Sequence, residues 1–173
     1  MQEYIFTLLP INLTYPSSTV FIYTFDIIGL FGPIILFLVN IWQLWGNGIY
    51  WTVNIIIFGV NLFINNILKL WIKQPRPVGG REMFNAEGTT GIDQYGMPSA
   101  HSQTTVCPLI FLYLVKQSFM WLISGIFITT LTIYQRWKYR KHTLEQLWVG
   151  AVVGFLVAYI GYKITTMLIT EQI

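Results

Sequence analysis

The chain has 173 residues, of which 54% are hydrophobic and only 10% are charged. A soluble domain usually carries about 25% charged residues, so this composition excludes an ordinary water-soluble globular protein. The high apolar fraction also excludes an intrinsically disordered chain. The net charge of +3 comes from few charged residues, so it does not indicate nucleic acid as a partner.

The amino-terminal segment, Met1–Thr19, is apolar but is interrupted by Pro10 and Pro16. It lacks a basic start followed by a cleavage site of small residues, so no signal peptide is expected. We instead predict an interfacial segment or a short helix over these residues.

Five apolar stretches follow, each close to the roughly 20 residues that a helix needs to cross a bilayer. They are Val20–Trp42, Tyr50–Trp71, Ser99–Val115, Phe119–Tyr134 and Thr143–Thr166. The sequence therefore predicts an all-α fold, a polytopic membrane bundle of about five transmembrane helices. We expect residues 1–173 to form one integral-membrane domain.

Two connecting segments, 72–98 and 135–142, carry most of the charged residues of the chain. The second and fourth predicted helices end at these segments, and the third and fifth begin there. Both segments must therefore lie on the same face of the membrane. We expect any chemistry at this face. Five of its basic residues are interpreted as ordinary charges at a membrane interface: Lys73, Arg81, Lys138, Arg140 and Lys141.

Two helices carry patterns that are typical of a packed bundle. Asn54, Asn61 and Asn65 fall, with Lys69, within a stripe of about 80° on the second helix. Polar residues in a membrane span normally face the bundle interior, so the asparagines are predicted to form hydrogen bonds between helices. On the fifth helix, Gly150-Ala-Val-Val-Gly154 is a motif of small residues that lets two helices approach closely.

The chain has two histidines, His101 and His142, and each stands where a predicted span begins on the charged face. His101 follows Pro98 and Ser99 in a turn that enters a helix. The amino terminus of a helix offers free backbone N–H groups, and these favour an anion. The two histidines are therefore candidates for one anion-binding site.

Three cationic residues, Lys69, Arg76 and Arg136, are predicted at the same face. Arginine binds phosphate in a planar, bidentate way, and lysine binds it as a point charge. The sequence offers no acidic triad for a divalent metal, so neither a metal nor another cofactor is expected. This set of residues predicts a phosphoryl-transfer site in which one histidine attacks phosphorus and the other protonates the departing oxygen.

Three segments resemble, in order and spacing, the motifs of the type 2 phosphatidic acid phosphatase superfamily. They are Lys69-x6-Arg76-Pro77, Pro98-Ser99-Ala100-His101 and Arg136-x5-His142, and the resemblance covers about residues 50–165. The resemblance implies a six-helix core, no metal and a phosphohistidine intermediate. It implies that His142 is the nucleophile and His101 the general acid. The substrate-binding residues that it implies are Lys69, Arg76, Pro98, Ser99, Ala100 and Arg136.

Three positions depart from the family pattern. Ala100 replaces a glycine, Gln135 replaces a serine, and Gln146 replaces the aspartate that orients the nucleophilic histidine. Gln146 is predicted to accept a hydrogen bond from His142 and to fix its tautomer, with Glu145 as the alternative. Five spans are counted where the family has six, so Met1–Thr19 is expected to replace the first.

Two segments, Met97-Pro98-Ser99-x-His101-Ser102-Gln103 and His142-Thr143-x-x-Gln146, are similar to those of the dolichyl-diphosphatase branch of the family. This resemblance implies a polyprenyl diphosphate as substrate and membrane lipids as the surrounding partners. The alternatives are the same chemistry on phosphatidate or another lipid phosphate, and a non-catalytic membrane scaffold that retains the site. The oligomeric state stays open.

The distribution of basic residues and the family resemblance predict opposite sides of the membrane for the site. The positive-inside rule places the basic face in the cytoplasm. The resemblance implies the lumenal or extracytoplasmic face, in the endoplasmic reticulum or the plasma membrane, and we adopt this orientation as the expectation.

Overall fold

The computed structural model describes residues 3–5, 14–16, 20–83 and 91–171. The predicted all-α bundle is confirmed, with five helices whose bounds differ from the predicted ones by a few residues. They are α1 (Val20–Gln43), α2 (Gly48–Ile72), α3 (Ala100–Lys116), α4 (Phe119–Lys138) and α5 (Leu144–Thr170). The largest differences are at the carboxyl ends of α4 and α5, which continue four residues beyond the predicted bounds, to Lys138 and Thr170. Helix α4 therefore holds Arg136 in its last turn.

The amino-terminal segment differs from the prediction where the structure describes it. Glu3–Ile5 (β1) and Thr14–Pro16 (β2) form two short antiparallel strands, so the predicted short helix is wrong for these residues. The local sequence explains this result, because threonine, tyrosine and isoleucine favour strands and Pro10 cannot donate a helical hydrogen bond. The other residues of Met1–Thr19 lie outside the described residues.

Helix α3 lies at the centre of the bundle and contacts each of the other four helices. Its buried face carries several polar side chains, which are Ser102, Gln103, Thr104 and Thr105. Three helical stretches of the described chain are long and apolar enough to cross a membrane: Tyr23–Gln43, Gly48–Ile72 and Leu144–Thr170. A central helix can be more polar than these, because its polar groups are hydrogen-bonded to neighbouring helices rather than exposed to lipid.

The predicted hydrogen bonding between helices is present along α2. Gln103 Nε2 donates to Asn61 Oδ1 at 2.8 Å, and Asn65 Nδ2 donates to Gln103 Oε1 at 2.8 Å. Further along α2, Asn40 Nδ2 of α1 donates to Asn54 Oδ1 at 2.9 Å. All five side chains are buried. These bonds fix α2 and α3 in register, so the residues at their ends face each other.

The outer surface of the bundle is apolar and carries exposed tryptophans at both ends. Trp71, Trp137 and Trp148 lie at the end where α2 and α4 finish, and Trp42 and Trp45 lie at the opposite end. Tryptophan is enriched at both membrane–water interfaces, where its amphipathic ring matches the headgroup region. With the three spanning stretches, this surface is that of a membrane protein.

The small residues of α5 pack against α3, as the motif predicts. A Cβ atom on Gly150 would meet the backbone carbonyl of Ser99, and one on Gly154 would meet that of Gln103. The backbones of the two helices therefore approach as closely as glycine allows. This contact places the beginning of α5 beside the beginning of α3.

We expect Gly154→Ala to destabilise the protein by about 1–3 kcal/mol, because the added methyl group meets a backbone atom that cannot rotate away. The matched control is Gly59→Ala, since a Cβ on Gly59 of α2 meets no atom within 4 Å. That variant should be neutral or slightly stabilising, because alanine is the better helix former. Thermal unfolding in detergent compares the two, and equal melting temperatures would contradict the proposed packing.

Candidate active site

Four helix ends meet at one face of the bundle, where the charged segments are predicted to lie. Backbone hydrogen bonds join these helix ends directly. The N–H of Gly96 donates to the carbonyl of Gln74 at 2.8 Å, and the N–H of Ser99 donates to the carbonyl of Gln146 at 3.0 Å. The end of α2 and the beginnings of α3 and α5 are therefore held together by main-chain contacts.

The amino terminus of α3 is built by the residues that precede it. Ser99 is the N-cap, and its Oγ accepts from the N–H of Ser102 at 3.4 Å. The carbonyl of Pro98 accepts from Asn65 Nδ2 at 3.3 Å, which ties the turn to α2. Ala100 is the first residue of α3, so its N–H has no partner within the helix. Such N–H groups favour an anion in front of α3.

The three predicted cations lie at this site. Lys69, in the last turn of α2, is only 2% exposed, and its Nζ lies 3.2 Å from Asp93 Oδ1. Arg76 Nε donates to the backbone carbonyl of Asp93 at 2.6 Å, and its Nη1 donates to the carbonyl of Lys141 at 3.1 Å. Arg136 is buried in the last turn of α4.

Gln135, which stands where the family pattern has a serine, contacts this cluster. Gln135 is buried beside Arg136, and its Oε1 accepts from Arg136 Nη1 at 3.4 Å. Its Nε2 faces Met83 Sδ at 3.7 Å. Gln135 therefore supports the arginine rather than presenting a hydroxyl to the site.

His142 lies just before α5, with its ring fixed on both nitrogens. Nδ1 is 2.9 Å from the carbonyl oxygen of Gly96, and Nε2 is 3.2 Å from Arg76 Nη1. A carbonyl oxygen can only accept and a guanidinium can only donate, so we assign the proton to Nδ1 and the lone pair to Nε2. This is the tautomer that a nucleophilic Nε2 requires.

The surroundings of His142 also keep its ring neutral. Burial lowers the pKa of His142 well below its ordinary value, and the positive charges of Arg76 and Arg136 and the neighbouring His101 lower it further. The hydrogen bond to Gly96 opposes these effects and raises the pKa, but it is the smallest influence. The ring is therefore uncharged at neutral pH, with its lone pair directed into the cation cluster.

The predicted contact between Gln146 and the ring of His142 is wrong, because Nδ1 is bonded to the Gly96 carbonyl. Gln146 instead forms a capping box with Thr143, whose N–H donates to Gln146 Oε1 at 3.2 Å. The error has a simple cause. The rule that residues four apart share a face applies inside a helix, but His142 precedes the N-cap Thr143 and is not in α5.

The structure gives Gln146 a different position. Its Nε2 donates to Gln74 Oε1 at 2.7 Å and to the carbonyl of Pro75 at 2.9 Å. Gln146 thus ties the beginning of α5 to the segment that carries Arg76. The alternative orienting residue, Glu145, is exposed to solvent.

Two residues of the site were missed by the sequence reasoning. Gly96 supplies the carbonyl that holds His142, and a Cβ there would overlap the carboxamide of Gln146. The glycine immediately before Met97-Pro98 was the available signal. Asp93, on a short 3-10 helix over Gly91–Gln94, gave no signal, because nothing in the pattern distinguishes it from other loop acids.

The predicted site residues therefore come together, with the exception of the Gln146 contact. His101 lies at the first turn of α3, where the charges of Lys69, Arg76 and Arg136 act on it. In the part of the chain that the structure describes, no group of three or more His, Cys, Asp or Glu residues is placed to hold a metal ion. The arrangement can bind a phosphate group among cations and bring a neutral imidazole to it.

Comparison with known proteins agrees with this arrangement. The profile of the PAP2 superfamily matches residues 49–169. The chain belongs to the PAP2 superfamily. This result confirms the family resemblance of the three motifs.

Curated relatives include two dolichyldiphosphatases. The chain is 32% identical to dolichyldiphosphatase 1 of Mus musculus over an alignment of 130 residues, and the match covers 64% of this chain and 51% of the relative. It is 33% identical to the dolichyldiphosphatase of Saccharomyces cerevisiae over an alignment of 122 residues, with coverage of 64% of this chain and 50% of the relative. The matched region thus spans about half the length of these relatives.

A solved structure shares the fold. It is the crystal structure of a transmembrane PAP2-type phosphatidylglycerolphosphate phosphatase from Bacillus subtilis, with a TM-score of 0.61. The match covers 90% of this chain and 80% of the other, at 18% sequence identity. At this identity the likeness shows the membrane fold alone.

We expect Arg76→Gln to raise the pKa of His142 toward the ordinary histidine value of about 6.5, because the change removes a positive charge next to Nε2. In the wild-type protein the ring should take up its proton only well below that value. Nitrogen-15 NMR of labelled protein can follow this titration, and His101→Asn assigns the signals. The control is Arg140→Gln, an exposed arginine on the same face. An unchanged titration in Arg76→Gln would contradict the proposed electrostatics.

Proposed function

We propose that this protein is an integral-membrane lipid phosphatase that hydrolyses a polyprenyl diphosphate through a phosphohistidine intermediate without a metal ion. One observation carries the proposal. The His142 ring is held through Nδ1 by the Gly96 carbonyl, while Nε2 lies 3.2 Å from the Arg76 guanidinium. A phosphate bound by Arg76 would therefore lie against the lone pair of the nucleophile.

The first step forms a bond between His142 Nε2 and the terminal phosphorus. The bond from that phosphorus to the bridging oxygen breaks, and polyprenyl phosphate leaves. His101 donates a proton to the departing oxygen. Lys69, Arg76 and Arg136 bind the other phosphate oxygens, whose negative charge increases in the transition state. The N–H of Ala100 and the hydroxyl of Ser99 add donors at the beginning of α3.

The second step removes the phosphate from the enzyme. A water molecule attacks the phosphorus and passes its proton to His101, which has just become basic by losing its own. The nitrogen–phosphorus bond breaks, and inorganic phosphate leaves. Both histidines are thereby returned to their initial protonation states.

The similarity to dolichyldiphosphatases supports a polyprenyl diphosphate over other lipid phosphates. Phosphatidate or a related lipid phosphate is the second candidate, because the same site would accept any accessible phosphate monoester. A non-catalytic scaffold is less well supported, because it has no need of an oriented neutral histidine within a cation cluster. We also propose that residues 1–173 act as one domain, with the site on the lumenal or extracytoplasmic side of the membrane.

We expect His142→Asn to abolish both turnover and a covalent phosphoenzyme, because no other group replaces the attacking nitrogen. His101→Asn should still form the phosphoenzyme from a diphosphate, but it should lose more activity, by about 100-fold or more, on an alkyl monophosphate. The reason is that the departure of an alkoxide depends on proton donation far more than the departure of a phosphate does. Rapid quenching with phosphorus-32 substrates measures both steps. Covalent phosphorus-32 on the His142→Asn protein would exclude His142 as the nucleophile.

We expect phosphate release from dolichyl diphosphate in detergent to continue in EDTA and to be inhibited by orthovanadate, which adopts the five-coordinate geometry of the transferred phosphorus. A panel with shorter prenyl diphosphates, phosphatidate and a sphingoid phosphate then ranks the substrates by kcat/KM. Loss of activity in EDTA with recovery in magnesium would contradict the mechanism. A preference for phosphatidate would replace the proposed substrate but keep the chemistry.

A further inference from the structure

The carboxylate of Asp93 lies between two of the cations that would bind phosphate. Its Oδ1 is 3.2 Å from Lys69 Nζ and 3.9 Å from Arg76 Nη2. The backbone carbonyl of the same residue accepts from Arg76 Nε at 2.6 Å. Asp93 therefore presents two oxygen acceptors to the cations that the phosphoryl-transfer site requires.

The two sides of this ion pair differ strongly in exposure. The side chain of Lys69 is 2% exposed, whereas that of Asp93 is 63% exposed. Asp93 lies on the short 3-10 helix Gly91–Gln94, all four residues of which are exposed. The lysine thus stays in place within the bundle, while the carboxylate can turn toward water at little cost.

Carboxylate and phosphate oxygens accept hydrogen bonds from the same ammonium and guanidinium donors. Two anions cannot occupy one set of cations without strong repulsion. We propose that Asp93 is an internal counterion that substrate phosphate displaces, and that it thereby sets the affinity of the site for substrate and for inorganic phosphate. The inference on substrate rests on the proposed function, whereas the inference on inorganic phosphate rests on the site alone.

A displaceable carboxylate speeds the release of product phosphate from the cation cluster. Lys69, Arg76 and Arg136 together would hold the phosphate product tightly, and slow release would limit turnover. When the product dissociates, Asp93 returns to Lys69 and Arg76 and competes with rebinding. The enzyme thus gives up part of its substrate affinity and gains faster release of phosphate.

The test is Asp93→Asn in the full-length protein in detergent, with inorganic phosphate and orthovanadate as probes. We expect both probes to bind about fivefold more tightly, as removing an exposed competing ion pair allows. The KM for the lipid substrate should fall by a similar factor, while kcat should not rise. Product inhibition by phosphate should become stronger in the same proportion.

Two variants serve as controls. Asp93→Glu keeps a carboxylate, so it should retain wild-type phosphate affinity. Glu171→Gln makes the same change of charge at an exposed residue at the end of α5, remote from the site, and should change neither probe binding nor KM. Asp93→Ser provides a second neutral variant if Asp93→Asn does not fold.

The outcomes separate this inference from the proposed function. Weaker or unchanged phosphate binding in a folded Asp93→Asn protein would overturn the inference, and so would a raised KM, which would make Asp93 a positioning residue. Tighter binding of inorganic phosphate supports the inference even if no lipid phosphate is hydrolysed. In that case only the proposed function fails.

Discussion

The repulsion among three cations at one end of an apolar bundle is the constraint on which the rest of the site depends. Lys69 and Arg136 are buried and Arg76 is half-buried, so little water is present to screen their charges. Among the described residues, backbone carbonyls and the Asp93 carboxylate offset part of this charge. The carbonyls of Asp93 and Lys141 both accept from Arg76, and the Asp93 carboxylate faces Lys69. Burial lowers the pKa of His142, and the same positive field lowers it further.

A backbone carbonyl rather than a side chain orients the ring of His142. The carbonyl of Gly96 holds His142, and the turn that carries Gly96 also enters α3, which places His101. One turn thus positions both histidines. Gln146 supports this turn from the other side, because its backbone carbonyl accepts from the N–H of Ser99. Its side chain meanwhile holds Gln74 and Pro75. The glutamine therefore acts on the site by joining segments.

The sequence predicted what depends on hydrophobic pattern and on side-chain chemistry. Helix positions follow from apolar stretches of bilayer length, and the convergence of Lys69, Arg76 and His142 follows from the parity of the spans and the motif spacing. The failures have physical causes. The Gly96 carbonyl is a group that every residue has, so only the requirement for a residue without a side chain marks its position. Gln146 was misplaced because α5 begins at Leu144, two residues after His142, so the two residues do not share a helix face.

The first helix shows why the site needs more than the family motifs. The family profile begins at residue 49, after α1, and α1 carries none of the motif residues. Its buried Asp26 nevertheless accepts hydrogen bonds from Lys138 Nζ and from Tyr139 Oη, at the end of α4. A Cβ on Gly29 would meet the backbone carbonyl of Leu131, so α1 and α4 are in close contact along this stretch. Arg136 lies in the last turn of α4 and is repelled by the neighbouring cations, and this repulsion favours its separation from the site. An ion pair that ties this turn to α1 opposes that separation, so α1 helps to hold Arg136 in the cation cluster.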